Sequence, residues 1–126
     1  MSLTAGTGNV DLQAAVGTTA LSALTVSSAT TARFGGNVTS TGVQQVTAGT
    51  IQTNGTHLTT NTNILLTGNV VLQANTTLST GAGAGNITVS GTVDAAGAGV
   101  QSLSLTAGTG NVDLQGVVGE IGRAHV

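Results

Sequence analysis

Apolar residues in this chain recur one position apart. Val10 and Leu12, Leu24 and Val26, Ala32 and Phe34, Ile64 and Leu66 show the spacing, as do Val70 and Leu72, Ile87 and Val89, Leu103 and Leu105, and Val112 and Leu114. Side chains of a strand alternate between its two faces, so this period of two predicts short strands with one apolar face. On that reading Val112 and Leu114 point inward and Asp113 points to solvent. Between the strands stand Gly, Asn, Thr and Ser, and no helical pattern interrupts them. Five strands are announced by Gly, Asn and a β-branched residue: Gly8 to Val10, Gly36 to Val38, Gly68 to Val70, Gly85 to Ile87 and Gly110 to Val112. Gly and Asn tolerate positive φ, which predicts a turn that feeds a strand.

The chain also repeats itself. Ser2 to Gln13 and Ser104 to Gln115 are the same twelve residues, SLTAGTGNVDLQ, at an offset of 102 (104 minus 2). The copies then diverge, Ala14 to Gly17 against Gly116 to Gly119, as drifted duplicates do. The chain therefore holds about one long repeat and the opening of the next. A sandwich of hairpins or a solenoid could accommodate such strands. Duplication and small side chains favour the solenoid: an all-β parallel β-helix over residues 1–120, with coils of about twenty residues, about six coils and a rise of roughly 30 Å. Asn and Thr would form ladders along it.

Composition sharpens this picture. Of 126 residues 39% are hydrophobic, but Phe34 is the only aromatic, so Val, Leu, Ile and Ala must build the interior. Thr, Val, Gly, Asn and Ser all disfavour helix. Twenty glycines and no proline leave Gly and Asn to make the turns. With 5% charged residues, no lysine and a formal charge of −2, nothing marks a nucleic-acid or anionic-membrane surface. Without cysteine, neither a disulfide nor a thiolate metal site can form. No apolar run reaches the roughly 18 residues of a membrane span, and residues 1–8 lack the features of a signal peptide.

Candidate chemistry is sparse, and no catalytic, cofactor-binding or metal-ligating residue is assigned. His57 stands in the polar stretch Thr53 to Asn63 with no nameable partner, which favours an incidental position. Asp11 and Asp113 match between the two copies; calcium is one reading, but the glycine/aspartate nonapeptide of calcium-binding β-rolls is missing. Solvent-facing strand positions explain them better, and Asp94 likewise. Gly81, Gly83 and Gly85 lack the lysine and following helix of a phosphate loop. Sequons at Asn37, Asn54, Asn75 and Asn86 are expected by chance in so Asn- and Thr-rich a chain. Phe34 is expected to plug the interior while Arg33 faces water. Three function classes compete: a structural stalk, an ice- or crystal-binding solenoid with Thr-rich faces, and a polysaccharide-cleaving β-helix enzyme. Thr59, Thr60, Thr62, Thr76 and Thr77 keep no constant interval, and acids and bases are too few for the enzyme, so the stalk leads.

The blocks LSLTAGTGNVDLQGVVG (Leu103 to Gly119) and GNITVSGTVDAAGAG (Gly85 to Gly99) resemble the filamentous-haemagglutinin-like large exoproteins and related bacterial β-strand-repeat surface proteins. The resemblance runs from about Ser2 to Gly119. It implies a right-handed parallel β-helix, a place at the bacterial cell surface or outside the cell, and a part in adhesion, aggregation or biofilm. The implied partners are adjacent repeats of the same chain, and host or neighbouring-cell surfaces reached through other regions of a longer protein. The amino-terminal secretion domain of many such proteins has no counterpart here. Residues 121–126, IGRAHV, leave the repeat pattern; they are similar to the translation of a common sequencing-adapter oligonucleotide and are set aside, with Glu120 beside them.

Overall fold

A computed structural model describes residues 1–119 and 121–126. Among the described residues there is no helix: short parallel strands wind into six stacked coils, a β-solenoid. Each coil contributes to three faces. The first carries β1 (Ser2–Thr4), β4 (Leu24–Ser28), the leading half of β7 (Gln44–Thr53), the leading half of β9 (Ile64–Leu72), β11 (Ile87–Val89) and β14 (Val112–Leu114). The second carries β2 (Asn9–Leu12), β5 (Thr31–Phe34), the trailing halves of β7 and β9, and β12 (Val93–Ala95), with Val118 bridging to Val93. On the third lie β3 (Val16–Leu21), β6 (Val38–Ser40), β8 (Thr56–Leu58), β10 (Thr76–Ser79), β13 (Ser102–Thr106) and β15 (Arg123–His125).

Strand alternation and parallel register together make the core. Leu3, Val26, Val46, Leu66, Val89 and Leu114 stack in one inward column of the first face. Val10, Ala32, Ile51, Val70, Val93 and Val118 stack in the second. Such aliphatic side chains fill a narrow interior where aromatic rings would crowd, and each one fully buried contributes about 1.5–3 kcal/mol. Phe34 is the exception, buried in the second coil against the interior ring of His57. Inner residues of the middle coils are fully covered, whereas Leu3, Leu12, Val112 and Leu114 of the end coils are only partly covered. Val112 and Leu114 do face inward, but no further coil lies over them among the described residues.

Coil length varies while register holds. Leu24 to Gln44 and Gln44 to Ile64 span 20 residues each, and Ile87 to Val112 spans 25. On the third face Val38 to His57 spans 19 and Leu78 to Leu105 spans 27. Corners absorb the difference, notably residues 96–101 between β12 and β13. A constant interval is therefore not what aligns side chains into ranks. Thr56, Thr77 and Ser104 align on the third face despite unequal spacing. Thr59 and Thr76 point inward and are buried, so they belong to no surface rank.

The Gly-Asn corners work differently from the expectation. None of their asparagines has positive φ; Asn61, outside the motif, does at 55°. Gly68 has φ of 139°, and a Cβ there would lie 1.8 Å from the Ala48 carbonyl oxygen, so close stacking of coils demands glycine. The asparagine instead brackets the next coil. The Asn63 carboxamide oxygen accepts from Asn86 N at 2.8 Å, and the Asn86 oxygen accepts from Asn111 N at 2.8 Å, a three-rung ladder. Asn9, Asn37 and Asn69 do the same for Thr31, Thr56 and Thr92.

The two identical blocks do not share a face. Ser2–Thr4 lies on the first face and Asn9–Leu12 on the second, whereas Ser102–Thr106 lies on the third and Val112–Leu114 on the first. Their separation covers four coils and two further faces. β15 of the tail pairs with β13, Ser102 against Arg123 through Ser104 against His125, and its three residues are exposed.

Candidate functional site

The densest group of chemistry-bearing side chains is inside the solenoid. His57 occupies the inward position of β8, stacked between Val38 below and Leu78 above, and is 1% exposed. Period-two alternation puts it there: Thr53, His57 and Thr59 are all buried, while Leu58 between them is exposed. The polar stretch that suggested an incidental surface histidine thus holds an interior one with a partner. Its Nδ1 lies 3.1 Å from the Gln44 carboxamide oxygen, which can only accept, so Nδ1 carries the proton. The Gln44 amide in turn donates to the Leu58 carbonyl at 2.9 Å and to the Val38 carbonyl and Ser40 hydroxyl at 3.2 Å each. Phe34 meets the imidazole edge to face at 5.1 Å.

The other ring nitrogen, Nε2, is buried and has no hydrogen-bond partner among the described residues. Protonating it would place a charge and an unmet donor in an apolar interior, and burial accordingly pushes the His57 pKa from 6.5 down to about 4. The imidazole is therefore neutral and enclosed near neutral pH. It is out of reach of any external substrate, and its polar neighbours are an amide and a hydroxyl rather than an acid or base.

Three buried hydroxyls mark the corner after the third face. Ser40 donates to the Gly42 carbonyl at 2.7 Å, Thr59 to the Thr62 carbonyl at 2.5 Å and Thr80 to the Gly85 carbonyl at 3.0 Å. Each satisfies a turn carbonyl that no strand could pair, which is why polar residues are tolerated inside. Thr53 and Thr76 pair their hydroxyls at 3.0 Å for the same reason. A Ser or Thr at an inward position just before a Gly- or Asn-containing turn was the available sequence signal for these caps.

Charged side chains are few and scattered. Asp11 and Asp113 both face solvent, each accepting from the glutamine two residues on, at 3.2 and 2.9 Å. Arg33 faces water while Phe34 is buried, and its guanidinium lies 3.4 Å from Asp11. Asp94 is partly exposed on the second face. Among the described residues no three His, Cys, Asp or Glu side chains converge as a metal site would require. Gly81, Gly83 and Gly85 form a corner held by Asn61, whose carboxamide oxygen accepts from Gly83 N at 2.8 Å. A groove of about 650 Å³ runs beside the Ala107 to Gly110 corner and the tail residues His125 and Val126, and it gathers no acid-base pair. Among the described residues no helix is long and apolar enough to cross a membrane. Comparison of the chain with protein-family models, curated proteins and solved structures returns no match.

Proposed function

We propose that this chain is a non-catalytic stalk or spacer segment of a large bacterial surface or secreted adhesin, as the resemblance to filamentous-haemagglutinin-like exoproteins implies. One observation carries the reading: an identical twelve-residue block is accommodated on two different pairs of faces. A chain that extends by local rules, indifferent to face, lengthens as a rod of constant section when its repeats multiply. Each coil adds about 4.8 Å. Few charges, one aromatic and the enclosure of the one interior histidine suit a spacer rather than a binding tip, whose hot spots favour Trp, Tyr and Arg. Its partners would be neighbouring repeats, with host or neighbouring-cell surfaces reached through other parts of a longer protein.

The test is to carry a known binding domain on one, two or three copies of residues 1–119. Reach measured by electron microscopy should grow by a fixed increment per copy, with the domain's affinity unchanged. Particles that widen instead of lengthening, or a solenoid that captures ligand without the domain, would contradict the proposal.

A further inference from the structure

Nine asparagines punctuate the corners and strand starts; eight carry at least one of two protections and seven carry both. Each of the eight is followed by Val, Ile or Thr, whose branched Cβ shields the next backbone nitrogen. Seven of them also have their carboxamide oxygen held by a backbone N–H of the next coil at 2.8–3.2 Å; the eighth, Asn111, lies in the last coil. Asn54 has neither protection. It is exposed, and among the described residues its oxygen accepts from no backbone N–H and its amide makes only a 3.4 Å contact to the Gly35 carbonyl. The residue after it is Gly55, whose N–H has no hydrogen-bond partner among the described residues.

The fold itself imposes that glycine. Gly55 has φ of 120°, and a Cβ there would lie 2.4 Å from the Asn37 carboxamide oxygen that holds Thr56 N. The positive φ at this corner therefore favours the one following residue that leaves an asparagine open to attack.

We infer that Asn54 is a site of self-inflicted covalent modification, losing its side-chain amide through a cyclic imide formed with the Gly55 nitrogen. The Gly55 nitrogen gives its proton to solvent base and attacks Cγ of Asn54. The new N–Cγ bond closes a five-membered succinimide, the Cγ–Nδ2 bond breaks, and ammonia leaves with a proton from water. Water then adds to either imide carbonyl. Opening at one yields aspartate; opening at the other yields isoaspartate, with an extra methylene in the main chain. That methylene falls in the third coil, between Thr53, whose hydroxyl is bonded to Thr76, and the interior His57. Isoaspartate at this point breaks the join between β7 and β8, whereas plain aspartate on the exposed corner leaves it intact.

The test incubates the folded protein in mildly alkaline buffer and follows every asparagine by peptide mapping, with enzymatic labelling of isoaspartate. The expected result is loss of the amide at Asn54 with isoaspartate accumulating there, while the other eight keep theirs. Asn54→Gln should abolish the isoaspartate signal, and Asn54→Asp should fold as the parent does. Amide loss at another asparagine first would overturn the inference. So would an Asn54 that stays intact in the folded protein for as long as the urea-unfolded chain takes to convert it.

Discussion

Residues 2–13 and 104–115 are the same sequence, and they adopt the same local structure in different surroundings. Gly6 and Gly108 have φ of 58° and 56°, and Gly8 and Gly110 each donate to the carbonyl of the alanine three residues back at 2.8 Å. Yet the first block turns from the first face to the second, and the second block turns from the third face to the first. Leu3 in the end coil is partly covered, whereas its twin Leu105, stacked on Leu78 of β10, is 3% exposed. Strand, corner and strand are therefore written locally, and stability is assigned by neighbours. That is the behaviour of a one-dimensional array, in which each coil buries its apolar edge only against the next.

The largest expected contrast is between these leucines. Leu105→Ala should cost about 2–5 kcal/mol by chemical denaturation and Leu3→Ala about half that or less, because only the former removes a side chain that is buried in the core. Equal losses would mean that the blocks have equivalent neighbours. Between the blocks, His57 sets the pH response. Its folded pKa of about 4 lies below the ordinary 6.5, so the unfolded chain binds the proton first as pH falls. Its contribution is intact above pH 6.5, is lost progressively from there to about 4, and totals roughly 3 kcal/mol. Denaturation midpoints measured across that window should fall, and His57→Leu should remove the histidine's part of the slope.

A smaller contrast separates the matched asparagines. Asn9 accepts from Thr31 N, whereas the Asn111 carboxamide supports no further coil among the described residues. Asn9→Ala should lose about 1 kcal/mol and Asn111→Ala close to nothing, read from urea midpoints. The smallest concerns the matched aspartates. Asp11 pairs with Arg33 at 3.4 Å with both side chains nearly half exposed, so Asp11→Asn should cost less than about 1 kcal/mol and vanish in high salt. Asp113→Asn should be neutral in either buffer.

The fold was legible because period-two spacing and a glycine-asparagine break are local signals. Leu24, Val26, Ile64, Leu66, Ile87 and Val89 all lie in the core where the alternation set them. The interior polar set was not legible, because Gln44, His57, Thr53 and Thr76 read as surface by residue type. Only the register, which stacks Gln44 between Leu24 and Ile64 and His57 between Val38 and Leu78, reveals them as inward. An asparagine ladder was expected from composition, but its partners were not legible: the backbone N–H donors that each carboxamide oxygen holds lie about one coil away. Phase was the least legible feature, because variable corners let the second copy start one face earlier and no local signal marks that shift.

That phase can be read with cysteines, of which the chain has none of its own. Thr88 and Asp113 are register partners on adjacent strands of the first face, where Cα atoms about 4.8 Å apart permit a disulfide. Had the second block kept the phase of the first, Asp113 would instead stack beside Asp94 on the second face. Oxidation should close a Thr88→Cys, Asp113→Cys pair and leave an Asp94→Cys, Asp113→Cys pair open. Closure of the second pair in place of the first would show that the blocks share a face, and that the coils are not stacked as described.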